Sequence, residues 1–142
     1  MKHNLNQVYQ DLEKENITVL PYQFRHIKSV SLEEEKVVGI DQSKIEDCAE
    51  EYTILIHEKG HFDSGAFYTA ECPYLLREQA EYRADRAAIL QYIPLEELRE
   101  YISWGIVELW ELAEQFGVTE VFMKKAVSYY RDTLGISLHP QR

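Results

Sequence analysis

The strongest constraint on this chain is a five-residue pattern, H-E-x-x-H, at His57-Glu58-Lys59-Gly60-His61. On a helix, residues four apart lie one above the other on the same face, so His57 and His61 can direct imidazole nitrogens at one point. Such a pair can bind Zn²⁺, and the glutamate after the first histidine can act as a general base toward a water. The alternative is an exposed helix with two unrelated histidines, and the rest of the chain must distinguish between them.

Length, charge and cysteine content narrow the class of protein. With 142 residues, of which 45% are hydrophobic and 28% charged, the chain fits one domain with one core. The net charge of −10 disfavours binding to a nucleic-acid backbone. No run approaches the roughly 20 apolar residues of a membrane span, and residues 1–7 do not resemble a signal peptide. Cys48 and Cys72 do not have the spacing of a disulfide framework, so we expect a reduced, cytoplasmic setting. Because no apolar run is long enough to span a membrane, we also expect no membrane partner.

Hydrophobic periodicity and helix breakers predict a mostly helical chain with a small sheet near its start. The predicted helices cover, approximately, residues 4–15, 45–62, 73–92, 95–104, 106–116 and 120–134. The predicted strands cover 17–20 and 37–40, and the segment 22–36 between them is ambiguous except for a solvated turn at 33–36. The predicted fold class is therefore α+β, as a single domain over 1–142 with a core at 1–94 and a C-terminal helical part at 95–135.

The predicted helix 45–62 is buried on two sides. Its core face is formed by four residues: Cys48, Tyr52, Leu55 and Ile56. The two motif histidines lie on a neighbouring stripe with Ile54 and so point inward or into a cleft. Gly60 costs about 1 kcal/mol relative to alanine inside a helix, which suggests that another element comes close there. The predicted helix 73–92 has a small-residue face that permits such an approach: Leu76, Ala80, Ala84, Ala87 and Ala88.

A catalytic zinc site usually has three protein ligands, so the chain must supply one more. Glu81 and Asp85 lie four apart on the predicted helix 73–92, and like charges at this spacing destabilise a helix. A cation bound between two helices would attract both carboxylates and make the same pair stabilising. Glu81 can bind the metal directly, and Asp85 can accept a hydrogen bond from a ligating histidine. The alternative for this acidic pair is a solvated face neutralised by Arg77 and Arg86. The other candidate ligands are one cysteine, three histidines and a further glutamate: Cys72, His3, His26, His139 and Glu78.

H-E-x-x-H followed by E-x-x-x-D on the next helix resembles the pattern of the gluzincin metallopeptidases, and most closely that of the short cytoplasmic ImmA/IrrE family. The resemblance is carried by residues 54–61, by 81–88 together with 92–94, and by the upstream strand pair. Residues 112–119 are similar to that family's helix-turn-helix-like segment. The resemblance implies a zincin-like domain with a C-terminal helix-turn-helix-like subdomain.

The same resemblance implies that His57, His61 and Glu81 bind Zn²⁺ and that Glu58 is the catalytic base. It also implies a peptidase whose partner is a protein substrate, typically a helix-turn-helix repressor of a prophage or mobile element, cut to release gene expression. The loop between the two motif helices has no family signature, so the resemblance does not specify substrate choice. Two histidines with a glutamate also suit manganese or iron.

Two other function classes remain open from the sequence. The first is a DNA-binding regulator that uses 112–130, but residues 100–120 hold five glutamates and no lysine or arginine, where a recognition helix needs positive charge. The second is a non-catalytic module that keeps zinc for stability or for sensing a partner. Glu58 argues against this second class, because a purely structural site needs no base. Ten tyrosines are candidates for stabilising an oxyanion, and the sequence does not choose among them.

Overall fold

The computed structural model describes residues 5–139 and has the predicted α+β fold. These residues form the helices α1 (Leu5–Lys14), α2 (Cys48–Ser64), α3 (Tyr74–Tyr92), α4 (Leu95–Ser103), α5 (Leu109–Phe116) and α6 (Glu120–Ser128). The strands β1 (Thr18–Pro21), β2 (Ser29–Leu32) and β3 (Val37–Ile40) form one small sheet. A 3₁₀ turn (Gln42–Lys44) follows β3, and a π-helical turn (Tyr129–Thr133) continues α6. None of the helices in this described part is long and apolar enough to cross a membrane.

The sheet has the order β1-β3-β2, with β1 parallel and β2 antiparallel to the central β3. β1 and β3 match the predicted strands, whereas β2 lies in the ambiguous segment 22–36. Polar and apolar residues alternate in β2, but four residues are too few to establish a period from sequence. The predicted turn at 33–36 joins β2 to β3, and β2 becomes an outer strand that packs beside α2.

α2 begins and ends at well-defined capping residues. The Asp47 carboxylate accepts a hydrogen bond from the Glu50 amide (2.8 Å), and Gly65 follows the last turn in the left-handed conformation (φ 70°). Three of the four predicted core residues are buried: Tyr52, Leu55 and Ile56. The prediction for Cys48 is wrong: it is exposed, because it is the first residue of α2 and lies at the edge of the packed region.

α2 and α3 pack closely where a glycine meets an alanine. A Cβ added to Gly60 would lie 2.1 Å from the backbone carbonyl oxygen of Ala84. The alanine face of α3 is buried at three positions: Ala80, Ala84 and Ala88. Leu76, predicted on this face, is exposed because it lies in the first turn of α3, beyond this contact. The close approach predicted at Gly60 is confirmed, and it brings the motif helix within reach of Glu81 and Asp85.

Lys59 lies inside the motif but is directed away from the histidines, and only 3% of it is exposed. Its ammonium donates hydrogen bonds to Asp63 (2.6 Å) and Gln91 (2.8 Å) and lies 3.2 Å from the Glu15 carboxylate. A buried cation is tolerated when it is paired and hydrogen-bonded in this way. Lys59 therefore links α2 to α3 and to the end of α1.

The C-terminal helices α4, α5 and α6 share a core with α2 and α3. The Thr119 amide donates to Thr53 Oγ1 on α2 (3.0 Å), and the Tyr130 hydroxyl donates to the Ile93 carbonyl (2.7 Å). One cluster of buried apolar side chains includes residues from α1, β3 and all of the later helices. The packing of α6 therefore bears directly on the position of α2 and α3.

α5 begins later than predicted because the chain turns before it. Gly105 has φ 92°, and the Ile106 amide donates to the Tyr101 carbonyl (3.1 Å). Gly117 ends α5 in the left-handed conformation, and Thr119 caps α6 with its side chain, both as predicted. The predicted helix-turn-helix-like segment is thus two short helices joined by a three-residue turn.

Candidate metal centre

The motif histidines and Glu81 come together between α2 and α3. Within residues 5–139 they are the only group of three or more histidine, cysteine, aspartate or glutamate side chains whose ligand atoms all lie within 4.8 Å of one another. Glu81 Oε2 lies 2.6 Å from His57 Nε2 and 3.3 Å from His61 Nε2. α2 therefore contributes two imidazoles and α3 one carboxylate, which are the residues predicted as ligands.

The other ring nitrogen of each histidine also has a partner. His57 Nδ1 donates to Asp85 Oδ1 (2.7 Å), and His61 Nδ1 donates to the carbonyl oxygen of Ala66 (2.6 Å). Because a carboxylate and a carbonyl can only accept, each places a proton on Nδ1 and leaves the lone pair of a neutral imidazole on Nε2. When both rings are neutral, their Nε2 atoms therefore present lone pairs toward the same carboxylate oxygen, whereas a proton on Nε2 makes the ring a donor to Glu81.

This donor set fits a divalent metal ion. Lone pairs that face one another repel unless a proton or a cation lies between them. Two imidazoles with one carboxylate are a catalytic ligand set for zinc, and the set also suits manganese or iron. His57, His61 and Glu81 would hold the ion, while Asp85 and the Ala66 carbonyl would fix the orientation of the two rings, as acceptors behind ligating histidines generally do.

Glu58 lies in the same site and is held by β2. Ser29 Oγ donates to Glu58 Oε2 (2.5 Å), and Ser31 Oγ donates to Glu58 Oε1 (2.7 Å). Only 6% of Glu58 is exposed, yet it lines a cleft together with His61 and Glu81. Each carboxylate oxygen has two acceptor positions, so one position on each oxygen remains for a ligand in the cleft.

The cleft has a volume of about 390 Å³ and is bounded by β2, α2, α3 and the loop that joins the two helices. Tyr68 on this loop donates a hydrogen bond from its hydroxyl to Glu81 Oε1. Burial, this hydrogen bond and the charge of Glu81 together raise the pKa of Tyr68, so its phenol stays protonated. Arg77 lines the cleft one turn before Glu81 on α3.

Sequence reasoning does not identify four residues of this cleft: Ser29, Ser31, Tyr68 and Arg77. The two serines are two apart, which places both side chains on one face of a strand, but the strand itself is ambiguous in sequence. Tyr68 has no feature that distinguishes it among ten tyrosines. Arg77 was a candidate for neutralising a solvated acidic face, but that alternative is wrong, because Glu81 and Asp85 contact His57 instead.

The remaining ligand candidates lie outside the cluster. Cys72 is half-buried in the loop before α3, and His26 and His139 are exposed. Glu78 is exposed and lines a second cavity, of about 360 Å³, on the α6 side of α3. His3 lies outside the described residues. Of the candidates for a third ligand that lie within residues 5–139, the structure therefore brings Glu81 alone to the histidine pair.

Hydrogen bonds within the site shift the pKa values of His57 and Glu81. Burial lowers the pKa of His57, but its hydrogen bonds to Asp85 and Glu81 outweigh burial and raise the pKa to about 10. Burial raises the pKa of Glu81, but hydrogen bonds from His57, His61 and Tyr68 outweigh it and bring the pKa well below its usual range. At neutral pH a proton therefore lies between His57 Nε2 and Glu81 Oε2, where a metal ion would have to displace it.

Below about pH 10, zinc affinity is accordingly expected to rise at least tenfold per pH unit, because His57 loses one proton when the metal binds and His61, whose pKa is also raised, can lose a second. The metal-free protein has the opposite trend. A raised histidine pKa stabilises the fold below the unfolded value of about 6.5, and this contribution is lost as the pH rises through about 10. Calorimetric zinc titrations in buffers of different ionisation enthalpy measure the proton release. An affinity that does not change over this range would contradict the prediction.

Asp85→Asn is expected to weaken zinc binding about 10- to 100-fold, because an amide supports the His57 ring less strongly than a carboxylate. Competition with a chromophoric chelator measures the loss. Lys125→Gln is the control, since Lys125 contacts Asp85 Oδ2 (3.2 Å) from α6 and is expected to have a smaller effect. Equal losses in the two variants would assign the effect to charge near Asp85 and not to its bond with His57.

Comparisons of the chain with protein-family models, with curated proteins and with solved structures find no match. The resemblance to the ImmA/IrrE family therefore stays a prediction from the motif. The site is characterised by its own geometry: three convergent ligand atoms, two supported histidines and a glutamate in the adjoining cleft.

Proposed function

We propose that the chain is a zinc-dependent endopeptidase that hydrolyses a peptide bond in a regulatory protein. The observation that carries the proposal is that His57 and His61 converge on Glu81 beside a further glutamate, Glu58, held in the same cleft. Three ligand atoms support metal binding. A carboxylate placed beside them, with acceptor positions left open, supports hydrolysis as well.

When bound, a zinc ion would supply Lewis-acid chemistry by acidifying a water and polarising the scissile carbonyl. Glu58 would take the proton of the attacking water and pass it to the leaving amine. The hydroxyls of Ser29 and Ser31 keep this carboxylate in one orientation. Tyr68 is the phenol of the cleft, and its hydroxyl is the candidate donor to the negative charge that develops on the substrate oxygen.

The proposed substrate is a helix-turn-helix repressor of a prophage or mobile element, which the ImmA/IrrE resemblance nominates. Cleavage of such a repressor would give the chain an antirepressor role. The outer edge of β2 supports a peptide substrate, because an extended chain can pair with an outer strand and β2 lines the cleft. We place the reaction in the cytoplasm, where Cys48 and Cys72 would stay as free thiols.

One observation favours a second candidate, a non-catalytic zinc-containing regulator. Both oxygens of Glu58 already accept serine hydroxyls and the side chain is nearly buried, which a carboxylate with a structural role would also show. In this case the metal would stabilise the contact of α2 with α3, and the chain would act by binding a partner protein.

DNA binding is the least supported of the candidate functions. α6 exposes Lys124 and Lys125, but Lys125 already pairs with Asp85 at 3.2 Å. The five glutamates of residues 100–120 and the net charge of −10 oppose contact with a phosphate backbone.

A cleavage assay tests the proposal. Zinc-loaded protein is incubated with the helix-turn-helix repressor encoded nearest to it, and the products are identified by mass spectrometry. We expect cleavage at a defined bond that a chelator stops and added zinc restores. A repressor that binds the chain in calorimetry but stays intact would contradict the peptidase and favour the regulator.

A further inference from the structure

Arg77 places a cation in the cleft with an unsatisfied N–H group. It lies one turn before Glu81 on α3, so the two side chains project from the same face. Its Nε atom is buried and has no hydrogen-bond partner. None of the ion pairs found among residues 5–139 includes Arg77. A buried N–H without an acceptor is unfavourable and uncommon, which calls for a ligand.

An aromatic ring holds the guanidinium in place. Arg77 Cζ lies 5.9 Å from the centre of the Tyr68 ring, a cation–π contact. Glu81, the acid on the same face of α3, is already bonded to His57, His61 and Tyr68. Arg77 lines the cleft, and the edge formed by the two terminal nitrogens of its guanidinium matches a carboxylate in a two-point contact.

The surroundings of Arg77 define what this edge can bind. The cleft contains the acids Glu58 and Glu81, and a cation bound at the metal centre would offset their charge. Arg77 would then be a positive group in a cleft that is otherwise lined in part by apolar side chains: Ile27, Val30, Phe67 and Ala70. A peptide that carries a carboxylate meets both requirements, because its chain contacts the apolar wall and its charge pairs with the guanidinium.

We propose that Arg77 binds a carboxylate of the peptide substrate and so selects peptides with an acidic side chain, or a free C-terminus, close to the bond that is cut. This proposal rests on the proposed peptidase function for the substrate class. The carboxylate site itself does not require cleavage, so the two can be tested separately. Arg77 would determine specificity and would take no part in holding the metal.

Binding is measured with the Glu58→Gln protein, with and without zinc, so that peptides stay intact. Three N-acetylated peptides differ in their carboxylates: Ac-Ala-Ala-Glu-Ala-Ala-NH₂, the same peptide with Gln in place of Glu, and that Gln peptide with a free C-terminus. The Arg77 Nε–H signal in nitrogen-15 NMR spectra reports the contact. We expect a carboxylate-bearing peptide to shift this signal and to bind about tenfold or more tightly than the neutral one. The peptide that does so distinguishes an acidic side chain from a free C-terminus.

Two arginine variants make the test specific. Arg77→Gln is expected to remove the preference, whereas Arg83→Gln, the same change at an exposed position of α3 outside the cleft, retains it. If Arg77→Gln does not fold, Arg77→Lys replaces it and is expected to reduce the preference, since an ammonium lacks the planar fork. Equal binding of all three peptides to the protein with Arg77 intact, or an undiminished preference in the Arg77 variant, would overturn the proposal.

Cleavage of a random peptide library by zinc-loaded wild-type protein separates this proposal from the proposed function. We expect cut sites enriched near acidic side chains or near the C-terminus, and loss of that enrichment in Arg77→Gln. A carboxylate preference in binding without any cleavage would remove the peptidase and support the Arg77 site. Cleavage that depends on Glu58 but ignores carboxylates would support the peptidase and overturn the Arg77 site.

Discussion

Glu58→Gln is expected to lower peptide cleavage by about 10²- to 10⁴-fold while zinc stays bound, because an amide cannot take a proton from the attacking water. The change preserves shape, and the fold should persist. Ser29 can still donate to the amide oxygen, and the rotatable hydroxyl of Ser31 can turn to accept from the amide nitrogen. Single-turnover cleavage, zinc titration and thermal unfolding of the same preparation measure the three quantities.

The matched control is Glu78→Gln, which makes the same change at an exposed glutamate of α3 that does not line the cleft with Glu58. It should cleave at the wild-type rate. Wild-type activity in Glu58→Gln would contradict the assignment of Glu58 as the base. It would also remove the argument that favours an enzyme over a zinc-containing regulator. Loss of zinc in that variant would instead show that Glu58 supports the metal centre.

Gly60→Ala is expected to lower both stability and zinc affinity. The added methyl group would meet the Ala84 carbonyl oxygen at 2.1 Å, and a backbone atom cannot move aside as a side-chain tip can. Overpacking costs typically about 1–3 kcal/mol of folding stability, and the contact with a backbone atom places Gly60→Ala at about 3 kcal/mol. Alanine recovers roughly 1 kcal/mol in helix propensity, so we expect a net loss of stability of about 2 kcal/mol. Because α3 carries Glu81 and Asp85, its displacement from α2 should also weaken zinc binding, on the order of tenfold.

Gly105→Ala is the control for this substitution. Gly105 has φ 92°, and no atom lies within 4 Å of a Cβ added there. An alanine at this position therefore strains the backbone by about 1–2 kcal/mol without separating α2 from α3. Urea unfolding gives the stability of each variant, and chelator competition gives its zinc affinity. If Gly60→Ala bound zinc as tightly as Gly105→Ala, the spacing of α2 and α3 would not govern the site.

Local sequence determines the parts of this molecule that depend on short spacings. Histidines four apart share a helix face, and a glycine in a helix beside an alanine-rich helix indicates close packing. Both features are predicted from residue types and spacing alone. The acidic pair at Glu81 and Asp85 was also identifiable, because like charges one turn apart are unfavourable without a cation between the helices. The α+β class followed from the same periodicities.

The cleft depends on long-range contacts, and only the tertiary structure decides it. Ser29 and Ser31 reach Glu58 because a hairpin turns β2 back against β3 and places it beside α2, with nearly 30 residues of chain between the partners. No local pattern indicates such a contact, since many distant pairings are compatible with one short strand. Tyr68 and Arg77 likewise acquire roles from what faces them across the cleft. The sequence by itself determined which residues we propose as metal ligands and base, whereas the fold decided what surrounds them, because side-chain surroundings are set by packing between elements far apart in the chain.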